Sequence, residues 1–182
     1  PTVSAFQWKG ESLTGKSLLI WPEQGYGDEI QFVRYIPLLK KLGVKHLTLV
    51  CRQALSQLFS SLSEVDEIIS IDNWGGNDQT SYDYWCFLLS LPSLLNTQLD
   101  TIPANTPYLF STKKQQTYWS AYIPNAPFRI GLVWKGNSQH TNDKNRSLPS
   151  LETLAPLLNI SGVNFISLQK DTGEEDLDNL PI

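Results

Sequence analysis

Glu23-Gln24-Gly25-Tyr26-Gly27-Asp28-Glu29-Ile30-Gln31 holds the richest chemistry in the chain, between an apolar run at Ser17–Trp21 and a helical pattern that starts near Asp28. A glycine-rich turn from strand to helix sets backbone N–H groups at the carboxyl edge of a sheet, where α/β proteins bind ligands. Two roles suit Asp28. It can be a first-turn acid, favoured by capping and the helix dipole, or a carboxylate at a cleft that accepts a proton from a substrate hydroxyl. The roles are compatible, because a capping carboxylate has a second oxygen. Glu23 and Gln24 can hydrogen-bond a polyhydroxylated substrate or simply solvate the turn. The spacing does not form a dinucleotide fingerprint: the third glycine of G-x-G-x-x-G falls on Ile30, and Cys51-Arg52 stands where a ribose-binding acid would.

A second polar segment runs from Lys135 to Ser147. It carries Lys135, Lys144 and Arg146 against one acid, Asp143, with neutral donors such as Asn137 between them. Such a loop at a strand's carboxyl end suits a diphosphate; the alternative is an ordinary solvated loop. His140 reads as a surface residue. The acidic cluster Glu174-Glu175-Asp176-Asp178 reads as a solvated face or helix start rather than a metal site.

The elements that must position these segments alternate. Strands are predicted at Ser17–Trp21, His46–Cys51, Glu67–Ile71 and Tyr84–Leu89, with helices at Asp28–Leu42, Gln53–Leu62 and around Leu91–Leu95. Pro37 should kink the first helix or open a second. Residues Asp72–Ser81 are turn material, Tyr108–Phe110 is extended, and Thr112–Tyr122 is a polar-faced helix. Pro124–Pro127 is the linker candidate. After it come a strand at Arg129–Trp134, a helix at Ser150–Leu158 and a strand at Asn164–Gln169. This alternation implies a Rossmann-like α/β protein with a mostly parallel sheet. The expected domains are 1–124, complete, and 125–182, the opening of a second Rossmann-like domain too small to close a core.

Composition bounds the partners. Of 182 residues, 41% are hydrophobic and 18% charged, enough apolar content for a core. The net charge of −4 argues against nucleic acid, and no apolar run is long enough for a membrane span. Cys51 and Cys86 fall in apolar runs and read as buried, reduced packing residues of a cytoplasmic protein. The absence of methionine and the start at Pro1 suggest a piece of a longer chain.

The combination Trp8-x-Gly10, Leu13, Gly15-Lys16, Glu23-Gln24-Gly25-x-Gly27-Asp28, Gln31-Phe32 and Arg34-Tyr35 resembles the glycosyltransferase-like domain that follows tetratricopeptide repeats in many bacterial proteins. The resemblance continues through Ser90-Leu91-Pro92, Ile102-Pro103, Pro107-Tyr108-Leu109, Gly131–Trp134, Gly136-Asn137, Asn142-Asp143, Arg146-Ser147 and Ser167-Leu168-Gln169. That domain is similar to family 9 glycosyltransferases, the heptosyltransferases, which have the two-domain GT-B fold. The resemblance implies an acceptor-side first domain, a nucleotide-sugar-binding second domain and repeats in the same chain. It implies Asp28 as catalytic base, with Glu23, Gln24, Gly25, Gly27 and Gln31 on the acceptor loop and Lys135, Asn137, Lys144 and Arg146 toward donor phosphate. The register at Lys144 and Arg146 stays open. Tyr26 is bulkier than the residue heptosyltransferases place there, and the rest of their donor domain would lie beyond Ile182.

The expected function is therefore inverting glycosyl transfer without a metal or other cofactor. The donor is a nucleotide sugar and the acceptor a hydroxyl on protein, lipid or glycan. The competing readings are a non-catalytic binding module of a repeat protein and, more weakly, a nucleotide-dependent oxidoreductase. The 182-residue piece by itself should not transfer sugar and should bind nucleotide diphosphates no tighter than roughly millimolar, since loop charge without a base pocket is screened.

Overall fold

A computed structural model describes residues 3–75 and 81–179. The chain divides into two compact units, Pro1–Thr112 and Lys113–Ile182. The division precedes the proline-bounded segment 124–127, so the helix at Lys113–Ser120 counts with the second unit. Part of the expected 72–81 turn lies outside the described residues.

The first unit is a five-stranded sheet in the order β1-β5-β2-β3-β4, every neighbouring pair parallel. Its strands are β1 (Phe6–Gln7), β2 (Ser17–Trp21), β3 (His46–Cys51), β4 (Glu67–Ser70) and β5 (Tyr84–Phe87). Two strands end earlier than their apolar runs. The Ser70 hydroxyl accepts the Asp72 N–H and turns Ile71 into a 3-10 turn, and Leu88–Ser90 forms another. Strand β1 has no sequence signal, being two residues long and exposed.

Apolar runs without alternation work here because both faces of the sheet are covered. Leu18, Ile20, Leu47 and Leu49 pack with Val33, Ile36, Leu39, Phe59 and Leu91 from the helices on one side, while Leu19 and Val50 face Trp21, Trp74 and Trp85 on the other. Helices α1 (Tyr26–Phe32) and α2 (Ile36–Lys41) are joined by a 3-10 turn at Val33–Tyr35, and Pro37 sits in the first turn of α2, where its missing N–H leaves no bond unmade. Helices α3 (Gln53–Phe59) and α4 (Leu91–Leu94) follow β3 and β5. Burial raises the Cys51 thiol's pKa and pushes that of Cys86 up to about 12, so both are inert packing groups.

The second unit contains α5 (Lys113–Ser120), α6 (Ala155–Leu158) and one parallel pair, β6 (Phe128–Leu132) with β7 (Val163–Ser167). The predicted 150–158 helix begins as a 3-10 turn over Leu151–Leu154, ahead of Pro156. Two strands leave much apolar surface uncovered: Phe128 and Ile130 are exposed, while Trp134 and Leu151 are buried. Among the described residues no helix is long and apolar enough to cross a membrane.

The register of β2 against β5 is pinned at its start by Asp83. Its carboxylate accepts the Ser17 N–H and hydroxyl, each at 2.9 Å, and the Lys16 ammonium at 3.0 Å. These bonds, the Ser17 amide foremost and Lys16 next, lower its pKa from the ordinary 3.8 to about 2. A carboxyl depressed on folding stabilises the fold above its unfolded pKa and loses that contribution as pH falls through the folded one. Asp83→Asn should therefore remove part of the stability lost between pH 3.8 and about 2, seen as a shallower acid limb in urea unfolding followed against pH.

Candidate functional site

The sheet reverses order between β2 and β5: the chain steps outward from β2 through β3 to β4, then returns to β2's other side. Ligand crevices of open α/β sheets lie outside the carboxyl ends of strands at such a switch point. The segment after β2, Pro22–Gly25, leaves the sheet there. Glu23 lies close enough to the end of β5 for its charge to add to the upward push on the Cys86 thiol, after burial.

The turn has an unusual anchor. Gln24 adopts φ of +59°, a left-handed conformation that non-glycine residues seldom hold. Its carbonyl accepts an N–H of Arg52, the residue that follows β3. The same guanidinium pairs with Glu29 and lies 5.2 Å from the Tyr26 ring centre, while the Arg52 backbone N–H donates to the second Glu29 oxygen at 3.2 Å. Glu29 is fully buried. A carboxylate in that position is tolerated only when paired and hydrogen-bonded on both oxygens, as here. Sequence reasoning missed this pair: a charge in a first helical turn reads as exposed, and Arg52 reads only as the lack of an acid.

With Gln24, Tyr26 and Glu29 fixed, Asp28 takes the third position of α1. Its Oδ2 accepts the Gly25 N–H at 2.8 Å, the reciprocal half of a capping box. Its Oδ1 makes no hydrogen bond among the described residues, and the side chain is half-exposed. A Cβ added at Gly25 would sit 3.3 Å from that carboxylate, whereas one at Gly27 would meet nothing within 4 Å. The fold thus constrains residue 25 and leaves a bare, exposed backbone at Gly27 beside Asp28. Gln31, one turn further along α1, is exposed.

In the second unit, the loop after β6 is organised from within. Ser147 Oγ accepts the Gly136 N–H at 2.8 Å and donates to Asp143 Oδ1 at 2.7 Å, while Asn137 Oδ1 accepts the Gln139 N–H at 2.9 Å. Gln169 Oε1 accepts the N–H groups of Trp134 and Lys135, tying this loop to the end of β7. Lys144 and Arg146 are exposed, with no ion pair among the described residues. Lys135 differs from them. It is half-buried, with its ammonium 3.7 Å from Asp176.

The acidic cluster also differs from a solvated face at one position. Asp176 Oδ2 accepts the Trp134 indole N–H at 2.9 Å and the Leu151 N–H at 3.0 Å, closing the unit's small core. Asp176 and Asp178 have Asp-x-Asp spacing, yet the first carboxylate is committed to these partners. No group of three or more metal-ligating side chains gathers among the described residues.

No protein-family model matches the chain. Protein FlbA of Caulobacter vibrioides is 27% identical over 197 aligned positions, taking in 96% of this chain and 32% of FlbA. The chain thus spans about a third of that relative's length. Among solved structures, the glycosyl transferase family 9 protein of Veillonella parvula superposes with a TM-score of 0.53 at 14% identity, covering 92% of this chain and 74% of that one. The chain has a glycosyltransferase-like fold.

Arg52→Ala should leave Glu29 buried without its partner and cost about 3 kcal/mol, the scale for breaking a buried pair from one side. Replacing both, Glu29→Met with Arg52→Leu, should recover much of that stability while freeing the 24–28 turn. Urea unfolding of the three variants checks the order.

Proposed function

We propose that this chain is the acceptor side, with part of the donor side, of an inverting glycosyl-transfer domain. The observation that carries the reading is the fixed turn at the sheet's switch point, which leaves one Asp28 oxygen unbonded. The glycosyltransferase-like fold supports it. In this reading the free Asp28 oxygen takes the proton of an acceptor hydroxyl as the hydroxyl's own oxygen attacks the anomeric carbon of a nucleotide sugar and the bond to the nucleoside diphosphate breaks. Glu23, Gln24 and Gln31 hydrogen-bond the acceptor, and bare Gly27 lets it approach the backbone.

The leaving diphosphate is neutralised by cations, without a metal or other cofactor. Lys144 and Arg146 are the cations placed to do this, because the self-bonded Gly136–Ser147 loop presents them outward. Asn137 donates beside them. Lys135, its N–H held by Gln169 and its ammonium beside Asp176, contributes residual charge at most. We place the domain in a longer bacterial chain, with tetratricopeptide repeats delivering a protein, lipid or glycan acceptor in the cytoplasm, where nucleotide sugars are made. The two-stranded β6–β7 sheet supports a donor half that needs more chain to form its base and ribose pocket.

The test is Asp28→Asn in the full-length protein. Transfer should fall by about two orders of magnitude or more, the scale of a lost general base, with donor binding retained. Transfer at the wild-type rate would overturn the assignment. For the 182-residue chain, isothermal titration with nucleoside diphosphates should show no binding tighter than roughly millimolar.

A further inference from the structure

Arg34 has no acid partner among the described residues. It lies in the 3-10 turn after α1, and its guanidinium donates to the Pro103 carbonyl and the Tyr108 hydroxyl, both at a long 3.3 Å. It also packs over the Tyr108 ring, 4.9 Å from the ring centre. The Tyr108 hydroxyl is itself spent on the Ile30 carbonyl. No carboxylate pairs with Arg34 among the described residues, and its Nε is buried without a hydrogen-bond partner. The other half-buried lysines and arginine described in this unit, Lys16, Lys40 and Arg52, each meet an acid, while Lys9, Lys41 and Lys45 are exposed to water. A half-buried positive charge held only by a carbonyl, a hydroxyl and a ring is under-compensated.

Arg34 also lines a cavity of about 440 Å³. That volume is in the range of small-molecule sites. Gln31, Thr97 and Gln98 give the wall polar groups, while Phe32 and Tyr35, ring planes 18° apart, give it an aromatic side. Asp100, on the neighbouring turn, is exposed and does not line it. Gln31, in the cavity wall, follows Asp28 by three residues in α1, so the two share a face of that helix.

From this geometry we infer that the Arg34 cavity is a subsite for an oxyanion, carboxylate or phosphate, carried by a hydroxyl-rich acceptor. The inference rests on the reading of Asp28 as the acceptor-side base and names the chemistry of the acceptor. Arg34 offers a planar guanidinium suited to either group. Gln31, Thr97 and Gln98 supply hydrogen bonds for hydroxyls, and the aromatic side suits a sugar ring's apolar face.

The test is an NMR titration of the 182-residue chain with methyl glucuronide, glucose 6-phosphate, inorganic phosphate and neutral methyl glucoside. Methyl glucuronide or glucose 6-phosphate should shift the Gln31, Arg34 and Thr97 resonances with an affinity about tenfold or more above methyl glucoside. The stronger of the two identifies the anion, and a response to inorganic phosphate equal to that for the sugar phosphate assigns the site to the anion alone. Arg34→Gln should remove the preference. Should that variant fail to fold, because Arg34 also ties the 103–108 segment, Thr97→Glu decides. It places a negative charge in the cavity wall and leaves the arginine's own contacts alone, and it should abolish anion binding. Equal response to the neutral glycoside, or anion binding that survives Thr97→Glu, would overturn the subsite. The titration needs neither donor nor turnover, so its failure would leave the transfer reading standing.

Discussion

Burying the Glu29 carboxylate in the first turn of α1 requires the Arg52 guanidinium, and that one ion pair decides where the rest of the site goes. Its partner emerges from the end of β3, the strand beside β2, so the pair ties the first two loops of the sheet together. The same guanidinium holds the Gln24 carbonyl and covers Tyr26. Three neighbours of Asp28 are thereby fixed by a single side chain, and Asp28 needs only the Gly25 N–H to be oriented. Asp28, the proposed base, is half-exposed, and the carboxylate that positions its turn is buried.

The second unit follows a comparable logic with weaker means. Gln169 and Asp176 collect the N–H groups at the end of β6, and the Gly136–Asp143–Ser147 bonds shape the loop beyond it. What the unit lacks is a sheet wide enough to hide the side chains of Phe128 and Ile130.

Much of the fold was legible in the sequence because continuous apolar runs bounded by glycine and charge have few alternatives. Ser17–Trp21 and His46–Cys51 come out as strands to the residue, and Pro37 divides its helix as proline chemistry requires. Where runs overshot, as at Ile71 and Leu88, a local hydrogen bond or 3-10 turn ended the strand before apolarity did. At the site, the glycine loop and Asp28 could be located from residue types alone. The Glu29–Arg52 pair could not, since residues 23 apart meet only once β2 and β3 are side by side. Several positions in the resemblance, Trp8, Leu13 and Trp134 among them, are buried core residues. They mark the fold, while Arg34 marks an unbalanced charge.

The central claim is that a carboxylate on a fixed turn removes an acceptor proton as the acceptor attacks the sugar directly. A single displacement of that kind inverts the anomeric centre. The anomeric configuration of the first-formed product, read by proton NMR from the full-length protein supplied with a donor it turns over, tests this most directly. The account predicts the configuration opposite to the donor's; retention would contradict it.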